Sequence, residues 1–220
     1  RKNLCKTHSA LYTNQEFSVF VDYLNNWIKE FKNQENPIHL ELGCGKGQFI
    51  AQKAIQNPEI NYIAIDLVDA MLGLAKRNVE EVFKENNKEI DNVILTRFDI
   101  ERIPLLLGEK DNIKRIYINF CNPWPKGKHH KKRLTHTRQL EKYKTFLSND
   151  GEIFFKTDDD DLYLASLRYF EKSGFEIISK TEDLHKNQIF PENIVTEHEN
   201  MFTEQGITTK AIIAKLKSEK

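Results

Sequence analysis

Cysteine is scarce in this chain, and the cysteines that are present form no recognisable pattern. The 220 residues contain three of them, Cys5, Cys44 and Cys121, and no two stand in a CxxC pair. An odd number of widely spaced cysteines argues against both a disulfide framework and a zinc site. We therefore expect a protein of the reducing cytoplasm.

Long apolar segments are also missing. The chain has no apolar run of about 18 residues and no charged-then-apolar leader, which argues against a membrane span and a secretory signal. It has no internal repeat and no interdomain linker, so we expect one domain, with a helical extension over residues 1–36 and a catalytic core over residues 37–220. Because the chain begins with Arg1 rather than Met, we expect a short N-terminal piece to precede it.

An excess of charge of either sign is absent, because 33 basic residues balance 33 acidic ones. The distribution is nevertheless uneven, since residues 126–138 hold four lysines, two arginines, three histidines and no acidic residue. Such a cluster attracts a phosphate backbone, whereas a solvated face usually mixes both signs. Without cysteines or carboxylates nearby, the histidines suggest phosphate partners or surface residues rather than a metal site. The predicted RNA-contacting patch consists of Lys128, Lys131, Lys132, Arg133 and Arg138.

Apolar periodicity predicts an α/β fold. The spacing over Asn14–Lys32 is typical of an amphipathic N-terminal helix. Beyond it, seven strands are predicted at 38–42, 61–66, 93–97, 115–120, 152–156, 175–180 and 208–216. Helices are predicted at 46–56, 69–85, 160–173 and from the basic stretch to Leu147, and Thr181–Gln205 is predicted to be a polar insertion. Strands separated by helices imply a doubly wound, mainly parallel seven-stranded sheet of the Rossmann-like kind.

A glycine-rich turn joins the first strand to the first helix. Gly43, Gly45 and Gly47 allow the backbone to turn tightly, to approach a ligand and to present amides at a helix N-terminus. The dinucleotide fingerprint GxGxxG would need a third glycine where this chain has Gln48, which disfavours a nicotinamide oxidoreductase. Glu41, before the first glycine, suits a cationic amino group, and S-adenosylmethionine carries one. We predict that this segment binds S-adenosylmethionine.

Two carboxylates follow the next strands at the same edge of the sheet. Asp66 ends the second strand and is suited to accept hydrogen bonds from a ribose diol. Asp99 follows the third strand and is predicted to meet the adenine edge or the water around it, although an aspartate there also caps turns.

The fourth strand runs into a stiff loop, Asn119-Phe120-Cys121-Asn122-Pro123-Trp124-Pro125-Lys126. Two prolines fix its backbone, Trp124 offers a flat face for a base, and Asn122 offers donors and an acceptor that can read a base edge. A proline-rich turn around a buried tryptophan is the structural alternative.

These segments resemble those of the bacterial tRNA (guanine-N7-)-methyltransferases over about Leu40 to Ala214. The resemblance rests on the glycine-rich turn, on the Asn119–Lys126 loop with its basic continuation, on Lys156-Thr157-Asp158 and on Thr196-Glu197-His198-Glu199. It implies a class I methyltransferase that forms 7-methylguanosine in the variable loop of tRNA, a monomer or homodimer without an obligate protein partner. It also implies roles for individual residues: Glu41, Asp66, Asp99 and Asn122 at the cofactor, Asn122 in catalysis, and Lys126, Asp158, Thr196 and Glu199 at the substrate.

Two positions depart from the family's usual pattern. Asp66 stands where glutamate is common, and Asn122 stands where the family has the aspartate that is assigned the catalytic role. Alternatives therefore stay open: an exocyclic amino methyltransferase, because Asn-Pro-Trp-Pro resembles the motif of adenine-N6 enzymes, or a non-catalytic RNA-binding protein. Two motifs also have structural readings, Asp158 as a helix N-cap and Thr196-x-x-Glu199 as a capping box.

Overall fold

Seven strands form one sheet in a computed structural model that describes residues 23–217. The strands are β1 Ile38–Leu42, β2 Asn61–Asp66, β3 Val93–Arg97, β4 Ile113–Asn119, β5 Leu147–Thr157, β6 Phe175–Thr181 and β7 Lys210–Leu216. The helices are α1 Gln48–Gln56, α2 Asp69–Glu85, α3 Thr137–Tyr143, α4 Asp160–Lys172 and α5 Glu197–Glu204. Shorter 3₁₀ turns occupy Trp27–Glu30, Ile100–Leu105, Glu109–Asp111 and Gly127–Lys132.

The strand order is β3-β2-β1-β4-β5-β7-β6, and β7 is antiparallel to both of its neighbours. The other pairs are parallel, with Leu42 in register with Ile65 of β2 on one side and with Ile118 of β4 on the other. The predicted mainly parallel, seven-stranded fold is therefore confirmed. The chain order reverses between β1 and β4, and such a switch point opens a crevice at the carboxyl ends of the strands.

Helices cover both faces of the sheet, which explains why β1 is buried along its whole length. On one face, α1 and α2 contribute Ile50, Leu72 and Val79 to a core that also contains Leu184 and Phe190 of the insertion. On the other face, α3 and α4 pack their apolar residues together with the fully buried Trp27. Within residues 23–217, no helix is apolar over a length that would cross a bilayer.

The predicted N-terminal helix lies largely outside the described residues, which begin at Tyr23. Its described end is not a continuous helix, because a turn with Asn25 at φ 63° precedes the short 3₁₀ turn Trp27–Glu30. Trp27 nevertheless attaches this segment to the core, since its Nε1 donates a hydrogen bond to the carbonyl of Leu106 at 2.7 Å. The prediction of a helix as far as Lys32 is therefore wrong.

Two other boundaries differ from the predictions for local reasons. The helix after the basic stretch ends at Tyr143 rather than at Leu147, because β5 already begins at Leu147. The strand predicted at 152–156 begins earlier, because Asp150 and Gly151 already lie inside β5, where a shift in the β4–β5 register accommodates them. The polar insertion contains a helix, α5, that the sequence pattern did not indicate.

Candidate active site

A cavity opens at the switch point between β1 and β4. The glycine-rich turn forms one wall, Asn119 and Phe120 at the end of β4 form a second, and the residues Thr196–His198 at the start of α5 form a third. The insertion between β6 and β7 therefore returns to the edge at which the first strand ends. The cavity combines segments that are more than 150 residues apart, as the hydrogen bond between Lys46 and Glu197 illustrates.

Glu41 lies at the inner end of this cavity with only 2% of its surface exposed. Its Oε1 accepts a hydrogen bond from Nδ2 of Asn119 at 3.1 Å, whereas its Oε2 is buried without a hydrogen-bond partner. Removal from water raises the pKa of this carboxyl to about 7. Because buried polar atoms are nearly always paired, the orphaned oxygen indicates that a donor from a ligand belongs here. This observation fits the ammonium group of S-adenosylmethionine.

The glycine-rich turn lets a ligand come close to its backbone, but the amides of its glycines are already hydrogen-bonded within the protein. The amides of Gly43 and Cys44 donate to the carbonyl of Ile65, and that of Gly47 donates to the carbonyl of Cys44. The amide of Gly45 donates to the Asp66 carboxylate at 2.9 Å. The expectation that these glycines present their amides to a ligand is therefore wrong for all three, because the turn uses them to close on itself.

Two of the glycines serve different ends. Gly45 has φ +51° and a Cβ there would meet nothing within 4 Å, so the open cavity reaches its backbone. At Gly47, with φ +72°, a Cβ would stand 2.6 Å from the Cβ of Ala75 in α2. Gly47 is therefore required for the packing of the turn against α2, whereas Gly45 leaves space beside the cavity.

Asp66 and Asp99 both make hydrogen bonds to backbone amides. The Asp66 carboxylate accepts from the amide of Gly45 through Oδ2 and from that of Val68 through Oδ1, at 2.9 Å each. Asp99 accepts from the amide of Glu101 at 2.9 Å and caps the 3₁₀ turn Ile100–Leu105. Each carboxylate oxygen has a second lone pair and can accept a further hydrogen bond from a ligand. The predicted contacts with ribose and adenine are therefore compatible with this geometry, and they stay predictions.

The loop after β4 has a strained backbone. Phe120 and Trp124 both have positive φ, 51° and 45°, which is rare for bulky residues. Asn122 is exposed, and its Oδ1 accepts a hydrogen bond from the amide of Trp124 at 3.0 Å, which closes the loop. Asn122 does not line the cavity around Glu41. Its catalytic and cofactor roles stay predictions.

The basic stretch divides into exposed and buried cations. The side chains of Lys126, Lys128, Lys131, Lys132 and Arg138 are exposed. Nζ of Lys132 lies 4.9 Å from the centre of the Trp124 ring, a distance that permits a cation–π contact.

Arg133 is only 1% exposed, so its inclusion in the RNA-contacting surface is wrong. Its guanidinium donates to the carbonyl of Pro123 at 2.7 Å and to the Asp161 carboxylate at 2.5 Å. Arg133 thus ties the stiff loop to the start of α4, because one guanidinium bonds to both.

The last group of predicted substrate residues is only partly exposed. Asp158 is not the helix N-cap, since Asp159 occupies that position and accepts from the amide of Leu162. Thr196 caps α5 by accepting from the amide of Glu199 at 3.2 Å, which is one half of a capping box. The other half is absent, because the Glu199 carboxylate bonds to Lys156 and Asn193 rather than to the amide of Thr196. Glu199 itself is fully buried and ion-paired with Lys156. Substrate contacts by Asp158 and Thr196 stay predictions, whereas the direct contact predicted for Glu199 is wrong, because its side chain is fully buried and both of its oxygens have partners within the protein.

Sequence reasoning missed three residues at this site. Asn119 hydrogen-bonds Glu41, Lys156 holds Glu199, and His198 lines the cavity. Each stands within a motif that the sequence analysis singled out, but the side chain that each contacts is far away in the chain. A polar residue at the carboxyl end of a buried strand was the available signal for Asn119 and Lys156.

Comparisons with known proteins identify the family. A family model described as "Putative methyltransferase" matches residues 35–212. The tRNA (guanine-N(7)-)-methyltransferase of Clostridium beijerinckii is 57% identical over 193 residues, which cover 88% of this chain and 87% of that protein. The enzyme of the same name from Clostridium botulinum strain Alaska E43 is 59% identical over 186 residues and 84% of each chain.

A solved structure also shares the fold. The 16S rRNA methyltransferase KamB superposes with a TM-score of 0.60 at 12% identity, over 94% of this chain and 95% of that chain. At this identity the likeness shows the fold alone, whereas the clostridial relatives show the family. This chain belongs to the bacterial tRNA (guanine-N7-)-methyltransferase family and has the class I methyltransferase fold.

Proposed function

We propose that this protein transfers the methyl group of S-adenosylmethionine to N7 of a guanine in tRNA and so forms 7-methylguanosine. The observation that carries the proposal is the unpaired, buried Oε2 of Glu41 beside the glycine-rich turn. It supports a ligand with a cationic group at the switch point. The clostridial relatives, more than half identical, bear the name of this activity.

The residues present can hold the cofactor. Glu41 would accept hydrogen bonds from its ammonium group, Gly45 would allow it close to the backbone, and Asp66 and Asp99 would meet its ribose and adenine. When bound, S-adenosylmethionine supplies an electrophilic methyl group on a sulfonium. Glu41 also confers selectivity, because a ligand without a cation at that end would leave the buried carboxylate uncompensated.

In this reaction, the main role of the protein is to position the base against the methyl donor. Guanine N7 carries a lone pair and no proton, so the N7–C bond forms as the S–C bond breaks without a general base. Alignment of the two reactants then supplies most of the rate enhancement. The positive charge moves from sulfur to the purine, where Asn122 offers a dipole in place of the carboxylate that the family usually has. We expect an active enzyme with weaker electrostatic support.

The exposed lysines would bind the tRNA backbone. Lys126, Lys128, Lys131 and Lys132 lie on the loop and 3₁₀ turn that follow β4, and Arg138 lies at the start of α3. Neutralising phosphates releases counterions, so binding should weaken as salt rises. The modified guanine is proposed to be the one in the variable loop.

The decisive experiment is transfer of labelled methyl from S-adenosylmethionine to unmodified tRNA, followed by identification of the nucleoside by mass spectrometry. The native protein, Glu41→Ala and Asn122→Asp are compared. We expect 7-methylguanosine from the native protein and its loss with Glu41→Ala. Methylated adenine would contradict the proposal in favour of an exocyclic amino methyltransferase. An inert native protein with an active Asn122→Asp variant would favour a non-catalytic RNA-binding protein.

A further inference from the structure

Three aromatic side chains form a cluster beside the cavity, and two of them, Phe120 and His198, line it. The rings of Phe120 and His198 lie 6.1 Å apart at an interplanar angle of 18°, so they are nearly parallel. Phe202 supports both rings, at 6.0 Å from Phe120 and 6.3 Å from His198. Phe120 is half-buried and His198 is exposed. The cluster therefore includes an exposed flat ring, that of His198, which also lines the cavity.

The backbone at Phe120, which carries one of these rings, is strained. Its φ of +51° is a left-handed conformation that a bulky residue rarely adopts. Its amide donates to the carbonyl of Lys156 at 2.9 Å, so the edge of β5 holds the unusual geometry. Strain of this kind concentrates at ligand sites, because selection for stability alone would remove it.

Helix α5, which carries His198 and Phe202, is fixed from two sides. Inside the protein, Glu199 pairs with Lys156 at 2.7 Å. At the surface, Glu197 pairs with Lys46 of the glycine-rich turn at 2.8 Å. The helix that carries His198 is thus held beside the turn that would bind the cofactor. Little conformational entropy is therefore lost when a flat ligand stacks on the ring.

We propose that His198, supported by Phe120 and Phe202, is the residue on which the target guanine stacks during methylation. The inference rests on the proposed function. A base must leave its own stack to reach a cofactor at the bottom of a cavity, and proteins that splay out RNA bases receive them on aromatic side chains. The face of the His198 ring would contact the base. Its nitrogens would take no part in the reaction, because guanine N7 has no proton to transfer to them.

The test compares three variants of helix α5. His198→Ala removes the ring, His198→Phe keeps a flat ring without its nitrogens, and Asn200→Ala is the control at an exposed position of the same helix. Stacking on an aromatic side chain contributes enough that kcat/KM for tRNA should fall roughly 5- to 150-fold in His198→Ala. His198→Phe should stay within a few-fold of the native protein. Asn200→Ala should match it.

A second measurement reports stacking directly. A tRNA with 2-aminopurine at the modified position should fluoresce less when bound to the native protein or to His198→Phe than to His198→Ala, because stacking on a ring quenches it. Affinity for S-adenosylhomocysteine is measured by calorimetry in all variants, because His198 also lines the cavity proposed to hold the cofactor. A loss of that affinity in His198→Ala as large as the loss of kcat/KM for tRNA would assign the ring to the cofactor and overturn the stacking role.

The outcomes separate this inference from the proposed function. If the native protein forms 7-methylguanosine but His198→Ala is as active, the stacking role is wrong and the function stands. If His198→Phe is as impaired as His198→Ala, the ring nitrogens rather than the face matter, which also overturns the inference. If the native protein binds S-adenosylhomocysteine but methylates no guanine, the proposed function fails first.

Discussion

Lys156 and Glu199 form an ion pair of 2.7 Å in which neither side chain is exposed to solvent. The remaining donors of Lys156 bond to Oδ1 of Asn193 and to the carbonyl of Ile194. Oε1 of Glu199 accepts from Nδ2 of Asn193. This network fastens the insertion to the end of β5 and so holds the third wall of the cavity in place.

Lys156→Met should be strongly destabilising. It removes the buried ammonium that pairs with Glu199, so that the partly exposed His185, whose Nε2 lies 3.4 Å from Oε1, is the basic side chain left beside the carboxylate. Breaking a buried pair typically costs about 3–5 kcal/mol in the free energy of unfolding. Urea denaturation followed by circular dichroism measures the change. Lys114→Ala is the matched control, because its ion pair with Asp150 is exposed and should contribute less than about 1 kcal/mol.

The double variant Lys156→Met/Glu199→Met makes the prediction sharper. Removing both charges should recover part of the lost stability, since no unpaired charge remains buried. Equal losses in Lys156→Met and Lys114→Ala would show that the pair does not hold the insertion.

Glu41 should make the ligand-free protein less stable as the pH rises. Its carboxyl has a pKa of about 7 when folded against an ordinary value of 4.5, so the folded state binds the proton more tightly. The contribution is full below pH 4.5 and is lost as the pH rises to about 7, up to about 3 kcal/mol. Glu41→Gln, which cannot titrate, is the comparison in urea unfolding at pH 5 and pH 8.

The difference between native and Glu41→Gln isolates this residue from other groups, such as His39, whose pKa burial lowers to about 3. We expect Glu41→Gln to gain stability relative to the native protein between pH 5 and pH 8. A difference that is constant with pH would contradict the raised pKa.

Affinity for the cofactor should rise with pH in the same range. The ammonium group requires the carboxylate form of Glu41, which is lost as the pH falls below the pKa of about 7. Each unit by which the pH falls below that value should therefore increase the Kd for S-adenosylhomocysteine by up to about tenfold. Calorimetric titration at pH 6, 7 and 8 tests this. Glu41→Gln should bind weakly at all three values, and the same pH dependence in that variant would assign the effect to another group.

Arg133 and Lys131 should behave as two different kinds of cation. Lys131→Ala should lower the slope of log K against log salt for tRNA binding by about 1, because one phosphate contact is lost. Arg133→Ala should leave that slope unchanged per folded molecule but reduce thermal stability, since the carbonyl of Pro123 loses its buried donor. Filter binding at several salt concentrations and thermal denaturation separate the two. A salt slope that falls in Arg133→Ala would return Arg133 to the RNA-contacting surface.

The first half of the chain followed the sequence pattern closely. Residues 61–66, 69–85 and 93–97 form the predicted strand, helix and strand without change. A strand buried on both faces and a helix with one apolar face each produce a pattern of apolar residues within a short stretch of sequence. Such elements can therefore be predicted without knowledge of distant residues. The position of the glycine-rich turn at the switch point followed from the same alternation.

Local patterns and motifs were enough to predict the fold class, the edge of the sheet that carries the site and, through the resemblance, the family. They did not indicate that Arg133 is buried while Lys131 and Lys132 are exposed, that Glu199 pairs with Lys156, or that His198 lines the cavity. These contacts join residues that are far apart along the chain. Secondary structure depends on neighbours within a few turns, whereas the burial and the partner of a charged side chain depend on residues that only the completed sheet brings together.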